Sequence, residues 1–93
     1  MNEKAIAASI MKWLRKLPDT CVWKITDMNN VGFPDITGVH RGMAFFFEVK
    51  QPKGRTTPKQ SYEIERIRAA GGRAHVVYSL ENVKNAMAVW FGL

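Results

Sequence analysis

Apolar residues at Ala5, Ile6, Ile10, Trp13, Leu14 and Leu17 recur three and four positions apart, the repeat of one helical face, while Lys4, Lys12, Arg15 and Lys16 lie mostly off that stripe. The spacing predicts an amphipathic helix over residues 3–17, ended by Pro18. Cys21-Val22-Trp23-Lys24-Ile25 is a short strand candidate, and the stretch from Asp27 to Pro34, with its two Asn and a Gly, reads as turns. Asp35 to Val39 and Ala44 to Lys50 are β-prone runs on either side of His40-Arg41-Gly42-Met43, the pattern of an antiparallel hairpin.

After a loop from Gln51 to Thr56, Thr57 stands as a helix cap with Pro58 at the first helical position and Gln60 at the third, a capping-box pattern. That helix should run to about Ala70, where Gly71-Gly72 stops it. Arg73 to Tyr78 reads as a further strand, and Ser79 caps a last helix that places Leu80, Val83, Met87 and Trp90 on one face. The order is α-β-β-β-α-β-α. A helix joining the third strand to the fourth implies a right-handed crossover, and so an α/β fold with a mixed sheet flanked by helices.

At 93 residues the chain is expected to form one domain. Its 46% hydrophobic and 24% charged residues are near the average for globular proteins and indicate neither disorder nor a fibrous repeat. Fourteen Lys and Arg against eight Asp and Glu give a net charge of +6, which favours a polyanionic partner without identifying one. Cys21 is the single cysteine, so no intrachain disulfide or Cys-based zinc site can form, and a buried apolar thiol in a reducing cytoplasm is expected. The N-terminal segment has no continuous apolar run, so neither a signal peptide nor a membrane span is expected, and the location should be cytoplasmic.

Strand alternation puts Phe45, Phe47 and Val49 on one face and Phe46, Glu48 and Lys50 on the other. If the hairpin turns about Arg41-Gly42, through a two- or four-residue loop, residues whose numbers sum to 83 face each other and Asp35 opposes Glu48. Two like charges so placed are destabilising, about 5 Å apart at Cβ, unless a cation lies between them. Hard divalent ions accept such carboxylates together with water and phosphate oxygens, so the pair reads as a magnesium or manganese site. Lys50 beside it can orient a nucleophile or stabilise a charged phosphoryl transition state. The competing reading of the same triplet is a solvated sheet face, because Glu-x-Lys is very common.

Gly32-Phe33-Pro34-Asp35, then Glu48-Val49-Lys50, then Thr57-Pro58-Lys59-Gln60 at the head of a helix resembles the PD-(D/E)-x-K nuclease superfamily, and within it the VRR-NUC family in the short stand-alone form of phages and bacteria. The likeness spans nearly the whole chain, including Gly71-Gly72, Val76-Val77-Tyr78 and Ser79-Leu80-Glu81. It implies a restriction-endonuclease-like core, with Asp35, Glu48 and the Val49 carbonyl as metal ligands and Lys50 and Gln60 as catalytic residues. It also implies that Glu3 completes the acidic cluster, although an acid is independently favourable at a helix N-terminus, just as Gln60 is accounted for by its capping box.

What the resemblance implies is hydrolysis of DNA to a 5′-phosphate and a 3′-hydroxyl, with four-way (Holliday) junctions as substrate and a two-fold homodimer to make symmetric cuts. Lys53, Arg55 and Lys59, with Arg41 at the hairpin tip, are the candidate DNA-binding residues, expected to grip phosphates rather than read bases. His40 and His75 have no metal-spaced partner and are set aside. Two alternatives stay open: a flap or nicking nuclease of the same superfamily, and a non-catalytic basic DNA-binding module.

Overall fold

The computed structural model describes residues 1–26 and 31–93; the part of the expected turn region at 27–30 lies outside the described residues. The elements are α1 (Glu3–Arg15), β1 (Thr20–Lys24), β2 (Ile36–His40), β3 (Met43–Val49), α2 (Pro58–Ala69), β4 (Arg73–Val77) and α3 (Leu80–Phe91). The expected order holds throughout. The strands form one sheet in the order β1-β2-β3-β4, antiparallel across the first two pairings and parallel between β3 and β4.

Helix α1 starts where Asn2 accepts a hydrogen bond from the Ala5 amide at 2.8 Å, a cap that the apolar stripe does not announce. It stops at Arg15, short of the expected Leu17. The residue before a proline avoids helical geometry, and the chain leaves the helix through turns that bring Asp19 to φ 55. Thr57 and Gln60 form the reciprocal capping box at α2, and Ser79 accepts from the Asn82 amide at 3.1 Å to start α3.

The β2–β3 turn is the two-residue form, with both Arg41 (φ 48) and Gly42 (φ 83) in the left-handed region that tight hairpins require. Ile36 pairs with Phe47 and Thr37 with Phe46, so the expected register is the one adopted. Phe45, Phe47, Val49, Ile36 and Val77 accordingly meet Ile6, Ile10 and Leu14 of α1 and Val83 and Met87 of α3 in the main core. On the opposite face α2 lies against β4, with Ile64 and Ala74 buried.

Cys21 departs from expectation: it is exposed. Val22 turns inward to pack against the core, so Cys21 and Trp23, one residue to either side, face away from α1 on an edge strand. Trp13, Trp90 and Phe91 pack partly buried against the core, whereas Trp23 stays exposed.

The Phe45 ring occupies the space a side chain would need at Gly38, where an added Cβ would lie 2.2 Å from Phe45 Cζ. Phe45 is wholly buried and cannot retreat. Gly38→Ala is therefore expected to destabilise the protein by about 1–3 kcal/mol, the usual penalty of overpacking, read as a lower urea midpoint with an unchanged m-value.

Candidate functional site

The end of the sheet opposite the hairpin turn gathers the chemistry. In the pairing register Lys24, Ile36 and Phe47 lie side by side, and Val49 pairs with Val77, so the residues flanking these positions converge on one rim. Asp35 stands immediately before β2 and turns its carboxylate onto β3, where Oδ2 accepts the Val49 amide at 2.8 Å. That bond carries the hairpin register one step past the last strand pair and sets Asp35 beside Glu48.

Glu48 is almost fully buried, with 2% of its surface exposed, and Lys50 is buried beside it, which rules out a solvated face. Glu48 Oε2 accepts from Gln60 Nε2 at 3.2 Å and lies 3.7 Å from Lys50 Nζ. Glu48 Oε1 is buried and accepts no hydrogen bond from any donor group among the described residues. Burial first, then a side-chain hydrogen bond to Asp35 and the Asp35 charge, push the Glu48 carboxyl up from 4.5 to about 8; the Lys50 ammonium opposes the shift and Glu3 adds to it. In the free protein a proton thus relieves the repulsion between the two acids.

Gln60 performs both of its expected duties at once. Its Oε1 accepts the Thr57 amide at 2.9 Å to close the capping box, which leaves Nε2 to hold Glu48. Gly32, at φ +88, lets the chain before Pro34 run against the first turn of α2, since a Cβ there would be 2.8 Å from the Lys59 carbonyl oxygen.

The donor set suits a hard divalent cation. Two carboxylates offer oxygen donors, and Glu48 Oε1, buried and accepting no hydrogen bond, is a position that a cation could take without displacing a donor. Among the described residues no group of three or more His, Cys, Asp or Glu is arranged to hold a metal. Glu3 lines the same cavity as Asp35 and Val49, so it stands near the pair.

The candidate DNA contacts divide. Lys53 and Arg55 line an exposed hollow of about 550 Å³ with Tyr78, in the loop that leaves β3 just beyond Lys50. Lys59 is exposed on the first turn of α2. Arg41 is not brought to the site: it sits at the far end of the hairpin, about 17 Å away at ordinary strand rise, and pairs with Asp19 at 3.3 Å. Lys24 escaped the sequence reading, and its Nζ is 4.0 Å from Asp35 Oδ1. Only its pairing across β2 could have revealed it, because Lys24 is far from both motifs in the chain.

No family sequence model and no curated protein matches the chain. Its structure superposes on a solved VRR_NUC domain with a TM-score of 0.82 at 26% identity, covering 96% of this chain and 97% of the other. Over nearly its whole length the chain is similar in structure to a VRR_NUC domain. A second solved structure, a VRR_NUC domain protein, superposes with a TM-score of 0.80 at 17% identity over 100% of this chain and 90% of the other, and at that identity shows the fold alone. The likeness to VRR_NUC domains supports a nuclease-type function.

The state of Glu48 makes stability depend on pH in a defined direction. The folded domain keeps a proton on Glu48 up to about 8 that the unfolded chain loses near 4.5, so between those values folding binds a proton and stability falls as pH rises. With EDTA present, the unfolding midpoint is expected to drop across this window, at most about 1.4 kcal/mol per pH unit. Glu48→Gln should flatten the profile; a wild-type midpoint that does not fall would contradict the assigned state.

Proposed function

We propose that this protein is a metal-dependent DNA endonuclease. The observation that carries the reading is the Asp35–Glu48 pair, in which Asp35 is half-buried and Glu48 fully so, with Lys50 and Gln60 on the second acid and one of its oxygens accepting no hydrogen bond. A binding module gains nothing from setting two acids together at a buried edge, where their repulsion and desolvation reduce stability.

Asp35, Glu48 and the Val49 carbonyl would hold a magnesium or manganese ion, with Glu3 a further acid lining the same cavity as Asp35 and Val49. When bound, such an ion lowers the pKa of water and offsets charge on a phosphate. The chain's own residues do the rest. Gln60 fixes the Glu48 carboxylate through the rigid start of α2, so the acid does not have to be ordered when substrate arrives. Lys50 keeps its ammonium within reach of the same carboxylate and, with little exposure, in surroundings where it acts strongly on a developing phosphoryl charge or on the attacking water. Lys53, Arg55 and Lys59 sit where the chain leaves this centre and grip the DNA backbone.

For substrate and assembly, the reading we favour is a four-way junction cut by a homodimer, in the cytoplasm of a bacterium or an infected host cell. Two symmetric cuts call for two active sites related by a two-fold axis, and the exposed Trp23 and Met43 offer apolar surface for the contact. Light scattering is expected to report a dimer at concentrations where junctions are cut; a monomer there would remove this part of the reading.

The catalytic test compares a labelled four-way junction with a matching linear duplex in magnesium, manganese or EDTA. Wild type should cut only with metal, and Lys50→Ala should cut at least about 100-fold more slowly, the scale of losing one stabilising charge. Binding of both DNAs with no cutting under either ion would leave the domain as a binding module.

A further inference from the structure

The DNA contacts assigned above all follow β3 in the chain and lie toward the β4 edge of the sheet. On the β1 edge, next to the same acids, the structure holds a second cavity. It measures about 500 Å³ and runs between α1 and the end of β1, reaching Asp35 and Val49. That volume is in the range of small-ligand sites. Its walls are of two kinds. Ala7, Ala8 and Met11 give a smooth apolar floor, while Lys4, Arg15 and Lys24 stand around it.

The three cations come from separate parts of the chain. Lys4 and Arg15 are eleven positions apart on α1, about three turns, and therefore lie on nearly the same side of the helix with the small side chains of Ala7 and Ala8 between them. Lys24 closes the other wall from β1, with its ammonium against Asp35. Lys4 and Arg15 have no ion-pair partner among the described residues, and Lys24 is paired only at the 4.0 Å limit with an acid assigned above to the metal. The cations are therefore free to meet an anion. Glu3 and Asp35 are the opposing charges in the lining, and Glu3 stands close enough to Glu48 to act on its carboxyl.

We propose that this groove carries the sugar-phosphate backbone on one side of the scissile bond, with Lys24 and Arg15 contacting phosphates, Lys4 assisting, and Ala7, Ala8 and Met11 receiving the sugar. The inference rests on the nuclease reading and extends it. β1 and β4 are the two edges of the sheet and the acids stand on the strands between them, so the DNA strand crosses the reaction centre from the Lys24 groove to the Lys53–Arg55 loop. Lys24 and Arg15 are positioning residues that hold flanking phosphates.

Each phosphate contact removed lowers the dependence of log K on log salt by close to one. Binding of a fluorescein-labelled linear duplex in EDTA is measured over a series of salt concentrations for wild type, Lys24→Gln, Arg15→Gln, the charge-preserving Lys24→Arg, and Lys84→Gln on α3, which does not line the groove. The Gln variants at 24 and 15 are expected to lose about one unit of slope each and to bind several-fold more weakly, while Lys24→Arg and Lys84→Gln keep the wild-type slope. In cleavage with magnesium, Arg15→Gln should raise KM with kcat within about three-fold. Wild-type slopes in both Gln variants of a protein that cuts DNA would overturn the groove assignment and leave the nuclease reading intact. A wild-type protein that binds no DNA at any salt would overturn both. Unfolding midpoints near wild type exclude loss of fold as the cause of weaker binding.

Discussion

The two-residue turn at Arg41-Gly42 locks β2 against β3 in a register that the core and the functional end both require. In that register Phe45 and Phe47 enter the core under α1 and α3, and Gly38 lies beneath the Phe45 ring because nothing larger fits there. A slip of one residue would exchange the faces, moving Phe46 and Glu48 into the apolar core and both core phenylalanines out of it. The same slip would carry Asp35 away from the Val49 amide. Packing therefore selects the arrangement in which the two acids meet, and the unfavourable pairing of those acids is sustained by apolar burial elsewhere in the hairpin.

Around that register the site is assembled from pieces with structural duties of their own. The capping box of α2 uses one end of the Gln60 amide, and the geometry that satisfies the Thr57 amide aims the other end at Glu48. The turn at Gly32 seats its chain on the first turn of α2 and delivers Pro34 and Asp35 to the rim. Helix, turn and hairpin thus fix three sides of one carboxyl group. Burial is the largest cause of the rise in the Glu48 pKa, with Asp35 adding to it, so the group is preorganised at a cost in stability, as is usual where a protein prepares a charge for chemistry.

Much of this was legible in the sequence, because the signals were local. Alternation in Phe45 to Lys50, the Arg41-Gly42 turn and the Thr57-Pro58-x-Gln60 cap each act over a few residues, and together they place Asp35, Glu48, Lys50 and Gln60 in contact reach. What escaped depends on contacts between distant segments. Lys24 reaches Asp35 only because β1 pairs with β2, and Lys4 and Arg15 acquire a common groove only when α1 packs beside that edge. Arg41 shows the reverse error: a basic residue near the motifs in sequence is carried by the antiparallel hairpin to the opposite end of the sheet. Cys21 was misplaced because a strand's apolar composition does not reveal which of its two faces an edge position turns to solvent.

On the proposed reading, the spacing of the basic tracts bears on what kind of DNA the domain can select. Across a four-stranded sheet the edge strands stand about 14 Å apart at ordinary strand spacing, the length of a few nucleotides along one strand of a duplex. Cations at both edges and a reaction centre between them fix the path of a short backbone segment. Lys and Arg that follow a backbone carry no base information, and the floor of the β1-side groove is alanine and methionine, which offer a base edge no hydrogen bond. Discrimination must then come from the shape of the DNA: how readily its backbone takes the imposed path, and where a second copy of the domain would place a second such path. A branch point, where strands already diverge from the duplex, meets that demand with less deformation than a continuous helix does.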